Sequence, residues 1–174
     1  LQAKNAMDIA IECHSLSKPY SMTGWRVGFA VGNADAVGIL AKVKSTTDTG
    51  VFKCIQEAGA VALTSPEADQ YIKDNNKILK KKQDLMIAGF QKLGWPIDQK
   101  NVPQATFYLW LSVPERYENA EVFCDELLQK SGIVAVPGSA FGQYADQYFR
   151  LSLVIPEDKL QQVIDRMLED GFTY

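Results

Sequence analysis

Apolar positions along the chain fall into blocks of two different periods. Asp8-Ile-Ala-Ile-Glu-Cys13 and Arg26-Val-Gly-Phe-Ala-Val31 are short and rich in apolar residues, which predicts two buried strands. After the turn and cap residues Gly32-Asn33-Ala34-Asp35, Val37, Leu40, Ala41 and Lys44 recur at helical spacing and predict a helix over 36–45. A second helix is expected over 51–63. Ser65-Pro66-Glu67 then reads as N-cap, first helical position and acidic first turn. The helix it opens is expected to run from Glu67 to about Leu93, with Tyr71, Ile72, Ile78, Leu79, Leu85, Met86, Phe90 and Leu93 forming a core stripe, and Gly94 and Pro96 ending it. Beyond it the periods alternate again. Strands are predicted over Thr106–Val113, Ile133–Val136 and Phe149–Ile155, and helices over Ala120–Ser131 and from Glu157 to Glu169. Strands separated by helices predict an α/β fold, with a domain boundary between Leu63 and Glu67.

Composition narrows the function. The 174 residues carry a net charge of −3, with no basic stripe interleaved with aromatics, so nucleic acid is not an expected partner. Lys80-Lys81-Lys82 lies inside the long helical pattern and reads as its solvated face. No apolar run approaches the roughly 18 residues of a membrane span, and the N-terminus lacks a signal-peptide pattern. A cytoplasmic protein without membrane partners is the expectation. Cys13, Cys54 and Cys124 have no metal-ligand spacing and are expected to be buried free thiols. His14 is the single histidine, which removes histidine triads and multi-histidine metal sites.

The chemistry concentrates between His14 and Gly28, in HSLSKPYSMTGWRVG. Lys18 stands on a loop at a predicted strand end, where α/β proteins commonly build their sites. Ser15, Ser17 and Arg26 can direct hydroxyl and guanidinium donors at one anion while Lys18 offers an amine. A phosphate clamp beside a reactive amine suits a phosphorylated aldehyde bound covalently as a Schiff base. Taken singly, a lysine between serine and proline is more often a solvated loop residue, and an arginine more often a surface charge. Their combination with two serines and two glycines reverses that.

The pattern Ser15-x-Ser17-Lys18 followed by Thr23-Gly-x-Arg26-x-Gly28 resembles the lysine segment of fold-type I, pyridoxal-phosphate-dependent aminotransferases of class I/II. Its wording is most similar to the branch holding LL-diaminopimelate and aspartate aminotransferase-like enzymes. The resemblance implies pyridoxal 5'-phosphate as cofactor, Lys18 as the catalytic lysine, Arg26 and Ser15 as phosphate ligands, and Ser17 as a weaker candidate for the same group. A second match lies downstream. Pro137-Gly138-x-x-Phe141-Gly142 and Arg150-Leu-Ser152 resemble the family's PGxxFG turn and the strand whose arginine binds the substrate α-carboxylate. Arg150 is the expected carboxylate ligand, and Pro137, Gly138 and Phe141 are expected to shape the turn rather than touch substrate.

The resemblance further implies that residues 1–64 correspond to the C-terminal end of a large cofactor-binding domain and residues 65–174 to a small C-terminal domain. It implies amino-group transfer from an amino acid to a 2-oxo acid, usually in a homodimer. Seventeen residues precede Lys18, too few to include the family's aspartate at the pyridine nitrogen, and neither Asp8 nor Glu12 matches its motif. A C-terminal fragment is therefore expected, one that needs the missing N-terminal portion for full activity. Two other readings stay open: a non-catalytic or partner-dependent fragment, and a lyase or synthase sharing the lysine motif.

Overall fold

A computed structural model describes residues 1–174. The chain forms two compact units, Leu1–Asn75 and Asn76–Tyr174.

The first unit opens with a helical turn, α1 (Ala6–Ile9), followed by β1 (Ile11–Ser15) and β2 (Gly28–Gly32). The two strands pair antiparallel, with Cys13 opposite Ala30 and Ser15 opposite Gly28. The N-terminal strand thus starts later than its apolar pattern predicts. Ala10 N–H donates to the Ala6 carbonyl, so Asp8 and Ile9 are committed to the turn rather than to a ladder. Nor are the strands buried: neither β1 nor β2 contains a buried residue. Two strands alone present both faces, and nothing within the unit covers them. Helices α2 (Ala34–Thr47) and α3 (Lys53–Thr64) follow the predicted spans closely. The Asn33 side chain caps α2 by accepting from Ala36 N–H at 2.9 Å. Leu16 and Met22, both in the loop between β1 and β2, are the only large apolar side chains buried in this unit. Ile9, Ile39, Val43 and Phe52 are exposed.

Helix α4 (Pro66–Lys92) begins where its signal predicts, and Ala68 N–H donates to Ser65 Oγ at 3.1 Å. Its stripe is core only in the C-terminal half. Met86, Ile87 and Phe90 are buried, whereas Tyr71 and Ile78 are exposed. Helical period locates a face, and only the partner elements decide whether that face is covered.

The second unit is a three-stranded antiparallel sheet in the order β3 (Tyr108–Ser112), β5 (Tyr148–Ser152), β4 (Val136–Pro137). Trp110 faces Arg150 across the β3–β5 ladder, and Val136 faces Arg150 from β4. Leu109, Leu111, Phe149 and Leu151 point to one side and are buried, while Trp110 and Tyr148 lie exposed on the other. The buried side meets α4, α5 (Ala120–Ser131) and α6 (Glu157–Glu169) through Phe90, Phe123, Leu127, Leu160 and Met167, all fully buried. Phe149 stands at the centre, with ring centroids of Phe123, Phe90 and Trp95 at 4.8, 6.2 and 6.4 Å. The α5 ends match the sequence because both signals are local. Asn119 Oδ1 accepts from Val122 N–H at 3.0 Å, and Gly132 takes φ 65°. The strand predicted over Ile133–Val136 pairs only at Val136–Pro137, since Ile133 N–H donates to Leu127 O at the end of α5 rather than to a ladder, and the chain turns at Gly138.

The cysteines differ from expectation as well. Cys124 is buried on the inner face of α5, but Cys13 and Cys54 are exposed, because they sit on the uncovered faces of the first unit. Burial pushes the Cys124 thiol up to about 11. Alkylation of the native chain at mildly alkaline pH is expected to modify Cys13 and Cys54 rapidly and Cys124 only after denaturation, as read by mass after digestion.

Candidate active site

The lysine loop is held from inside by its apolar residues. Leu16 N–H donates to Val27 O at 3.2 Å, and the Leu16 side chain turns under α3 at Gly59. With Leu16 inward, Ser15 and Lys18 are exposed and Ser17 is half-buried. Met22 provides the second anchor, and Trp25 N–H closes a tight 3-10 turn, Thr23–Trp25, by donating to Met22 O at 3.1 Å.

Between these anchors a run of hydrogen bonds gathers the predicted phosphate ligands. Ser17 N–H donates to Ser15 Oγ at 3.2 Å, which folds the chain just before Lys18. Thr23 Oγ1 donates to Ser17 O at 3.1 Å, and Arg26 Nη1 donates to Thr23 O at 3.0 Å. Ser15, Ser17 and Arg26 are therefore linked through Thr23, a residue to which the sequence pattern assigns no role. Its position in the Thr-Gly-x-Arg spacing is the one signal the chain offers for it. Arg26 itself adopts a left-handed backbone, φ 52° and ψ 50°. That conformation costs about 1 kcal/mol for a residue with a Cβ, and it lets the guanidinium fold back over the loop. A second left-handed residue, Ser21 at φ 54°, is secured by its hydroxyl 2.6 Å from Tyr71 Oη on α4.

Gly28 is required by packing. A Cβ there would lie 2.4 Å from the His14 carbonyl oxygen, so only glycine permits the β1–β2 ladder beside the loop. Gly24 has no comparable neighbour, and the structure makes no such demand on it. Upstream, Glu12 is engaged by His14, Oε2 to Nε2 at 3.0 Å, and His14 stacks on Phe29 with centroids 5.0 Å apart.

The donor set suits a phosphorylated aldehyde. Two hydroxyls and a guanidinium with no carboxylate partner share one loop with the lysine amine. Phosphate is a multivalent acceptor that such mixed donors satisfy. An ion pair would have neutralised Arg26 and argued against an anion site.

Arg150 belongs to the second unit, on the exposed sheet face. Its guanidinium carbon lies 4.2 Å from the Tyr108 ring centroid and 4.5 Å from that of Phe141, and it makes no ion pair. Phe141 reaches it because the 3-10 turn Gly138–Phe141 is very tight. A Cβ on Gly138 would come 1.9 Å from Ala145 O and 2.7 Å from Tyr148 O. Phe141 therefore does more than shape its turn: its ring contacts Arg150 directly, a placement that turn chemistry alone does not reveal.

These features agree with what the chain is similar to. The family described as aminotransferase class I and II matches over residues 2–167. LL-diaminopimelate aminotransferase 2 of Trichormus variabilis is 45% identical over 174 residues, covering 100% of this chain and 43% of the relative. LL-diaminopimelate aminotransferase of Moorella thermoacetica is 40% identical over 167 residues, covering 96% of this chain and 41% of the relative. Among solved structures, an aminotransferase from Staphylococcus aureus superposes with TM-score 0.87 at 34% identity, over 98% of this chain and 44% of that one. BacF from Bacillus subtilis gives TM-score 0.89 at 29% identity, over 97% and 44%. The chain thus spans 41 to 43% of the length of these curated relatives. With the lysine loop, the arginine strand and nearly the whole length matching, this chain belongs to the class I and II aminotransferases.

Proposed function

We propose that this chain carries the lysine-bearing and carboxylate-binding part of a pyridoxal-phosphate-dependent aminotransferase, which moves an amino group from an amino acid to a 2-oxo acid. The single observation that carries the reading is the hydrogen-bonded loop joining Ser15, Ser17, Thr23 and Arg26 around Lys18. Residues 1–64 act as the end of the cofactor-binding domain and residues 65–174 as the small domain. LL-diaminopimelate is the leading amino-acid substrate, supported by the names of the relatives.

Arg26 and the Ser15 hydroxyl hold the cofactor phosphate, with Ser17 contributing a further donor. Bound pyridoxal phosphate supplies a conjugated ring that draws electrons from the substrate Cα. Lys18 would hold the cofactor through its aldehyde, and its amine, once released, would accept the proton that leaves the substrate Cα. Arg150 takes the substrate α-carboxylate through charge-assisted hydrogen bonds. The exposed apolar side chains of the first unit, Ile39, Val43 and Phe52 among them, support assembly with further polypeptide, either an N-terminal portion or a second subunit of a homodimer.

The phosphate role of Arg26 has a direct test. Arg26→Ala removes a charged donor and is expected to weaken pyridoxal phosphate binding about ten-fold or more, at about 1.5–3 kcal/mol for a hydrogen bond to a charged group. Absorbance titration of the lysine-bound cofactor reads it. Unchanged affinity would contradict the phosphate clamp.

A further inference from the structure

The surroundings of Arg150 go beyond the presence of a cation. We propose that Tyr108 and Phe141 are positioning residues for Arg150, together fixing its guanidinium plane so that its N–H edge is presented to a carboxylate. This role rests on the carboxylate reading of Arg150.

The two rings lie at 4.2 and 4.5 Å from the guanidinium carbon. Tyr108 comes from β3 and Phe141 from the turn after β4, so two separate elements converge on one cation. An arginine held by ring faces keeps its in-plane N–H donors for other acceptors, because cation–π attraction uses the face of the guanidinium and hydrogen bonding uses its edge. No protein acceptor or carboxylate engages those donors in the structure, which leaves the fork available for a planar, bidentate ligand.

The rings are themselves braced. Phe141 meets Trp110 edge-on at 5.6 Å, and Trp110 stacks on Tyr148 at 5.8 Å with 16° between the planes. Tyr108 leans on Phe107 at 4.6 Å. Trp110 and Tyr148 lie on the sheet face opposite the core, where Phe141 meets Trp110, whereas Phe107 packs against the core. Phe141 is 50% exposed and Trp110 41%, so hydrophobic burial within the unit does not account for their arrangement. Orientation of Arg150 does: a long, flexible side chain loses rotamer freedom before the ligand arrives, and affinity rises by the entropy no longer lost on binding.

The test uses the full chain, isotope-labelled, titrated with glutarate while the indole N–H signal of Trp110, which faces Arg150 across the ladder, is followed by NMR. The unsubstituted chain is expected to give a saturable shift that Arg150→Lys abolishes. Phe141→Leu and Tyr108→Leu are each expected to raise the dissociation constant about five-fold, and Phe141→Tyr to restore it. Loss of amide dispersion in Phe141→Leu would leave Tyr108→Leu, on a different element, to decide by itself. If both leucine variants bind as tightly as the unsubstituted chain while Arg150→Lys does not bind, the positioning role is wrong and the carboxylate reading stands. If the unsubstituted chain gives no saturable shift, or Arg150→Lys binds equally well, the carboxylate reading falls and the positioning role with it.

Discussion

Gly138→Ala is expected to destabilise the second unit by about 3 kcal/mol or more and to remove Phe141 from Arg150 in the same step. The new Cβ would stand 1.9 Å from one carbonyl oxygen and 2.7 Å from another, both of them backbone. No rotamer change relieves a clash of that kind. Relief requires moving the segment 142–148, yet its end is pinned as β5, where Phe149 is fully buried. The turn must therefore open, and Phe141, its last residue, moves with it. Urea denaturation reads the stability loss, and glutarate titration reads the loss of the organised arginine. A variant as stable as the parent would show that the turn has slack that its geometry denies.

Phe149→Ala is expected to cost about 3–5 kcal/mol, a large fraction of the roughly 5–15 kcal/mol that holds a typical domain. Phe149 is fully buried, and its ring touches three others, from α4, the loop after it and α5. Truncation removes a shared partner from every ring at once, and β-strand backbone on either side limits collapse into the hole. Because Phe149 is the immediate neighbour of Arg150 on β5, the same change also loosens the strand that presents the arginine. Phe149→Leu refills part of the volume and should cost less than half as much. Equal losses for the two variants, by thermal or urea denaturation, would contradict a cavity origin.

What the sequence made legible was local. The ends of α5 follow from Asn119 and Gly132, and the start of α4 follows from Ser65 and Pro66, because each signal acts within a few residues. Lys18, Ser15, Ser17 and Arg26 lie within twelve positions, so their gathering on one loop also followed from the chain alone. Burial was less legible. Ile9, Ile11 and Val31 are apolar, but covering them depends on elements distant in sequence, and within the first unit none does so. The same reason left Cys13 and Cys54 exposed. Phe141 shows a third limit: a turn motif predicts backbone path, while the landing point of its side chain depends on β3 and β5, which converge on it only in three dimensions.

The proposed phosphate clamp would distinguish one lysine among many. Lys42, Lys44, Lys53, Lys73, Lys77 and Lys80 are exposed on helices, so every one of them is open to chance modification. Mixing the native chain with pyridoxal phosphate, reducing with borohydride and locating the added mass by digestion discriminates between them. Label is expected to concentrate on the peptide containing Lys18 and to be lost in Arg26→Ala. Label spread over the exposed helical lysines, or none above background, would mean that the loop around Lys18 does not bind the cofactor.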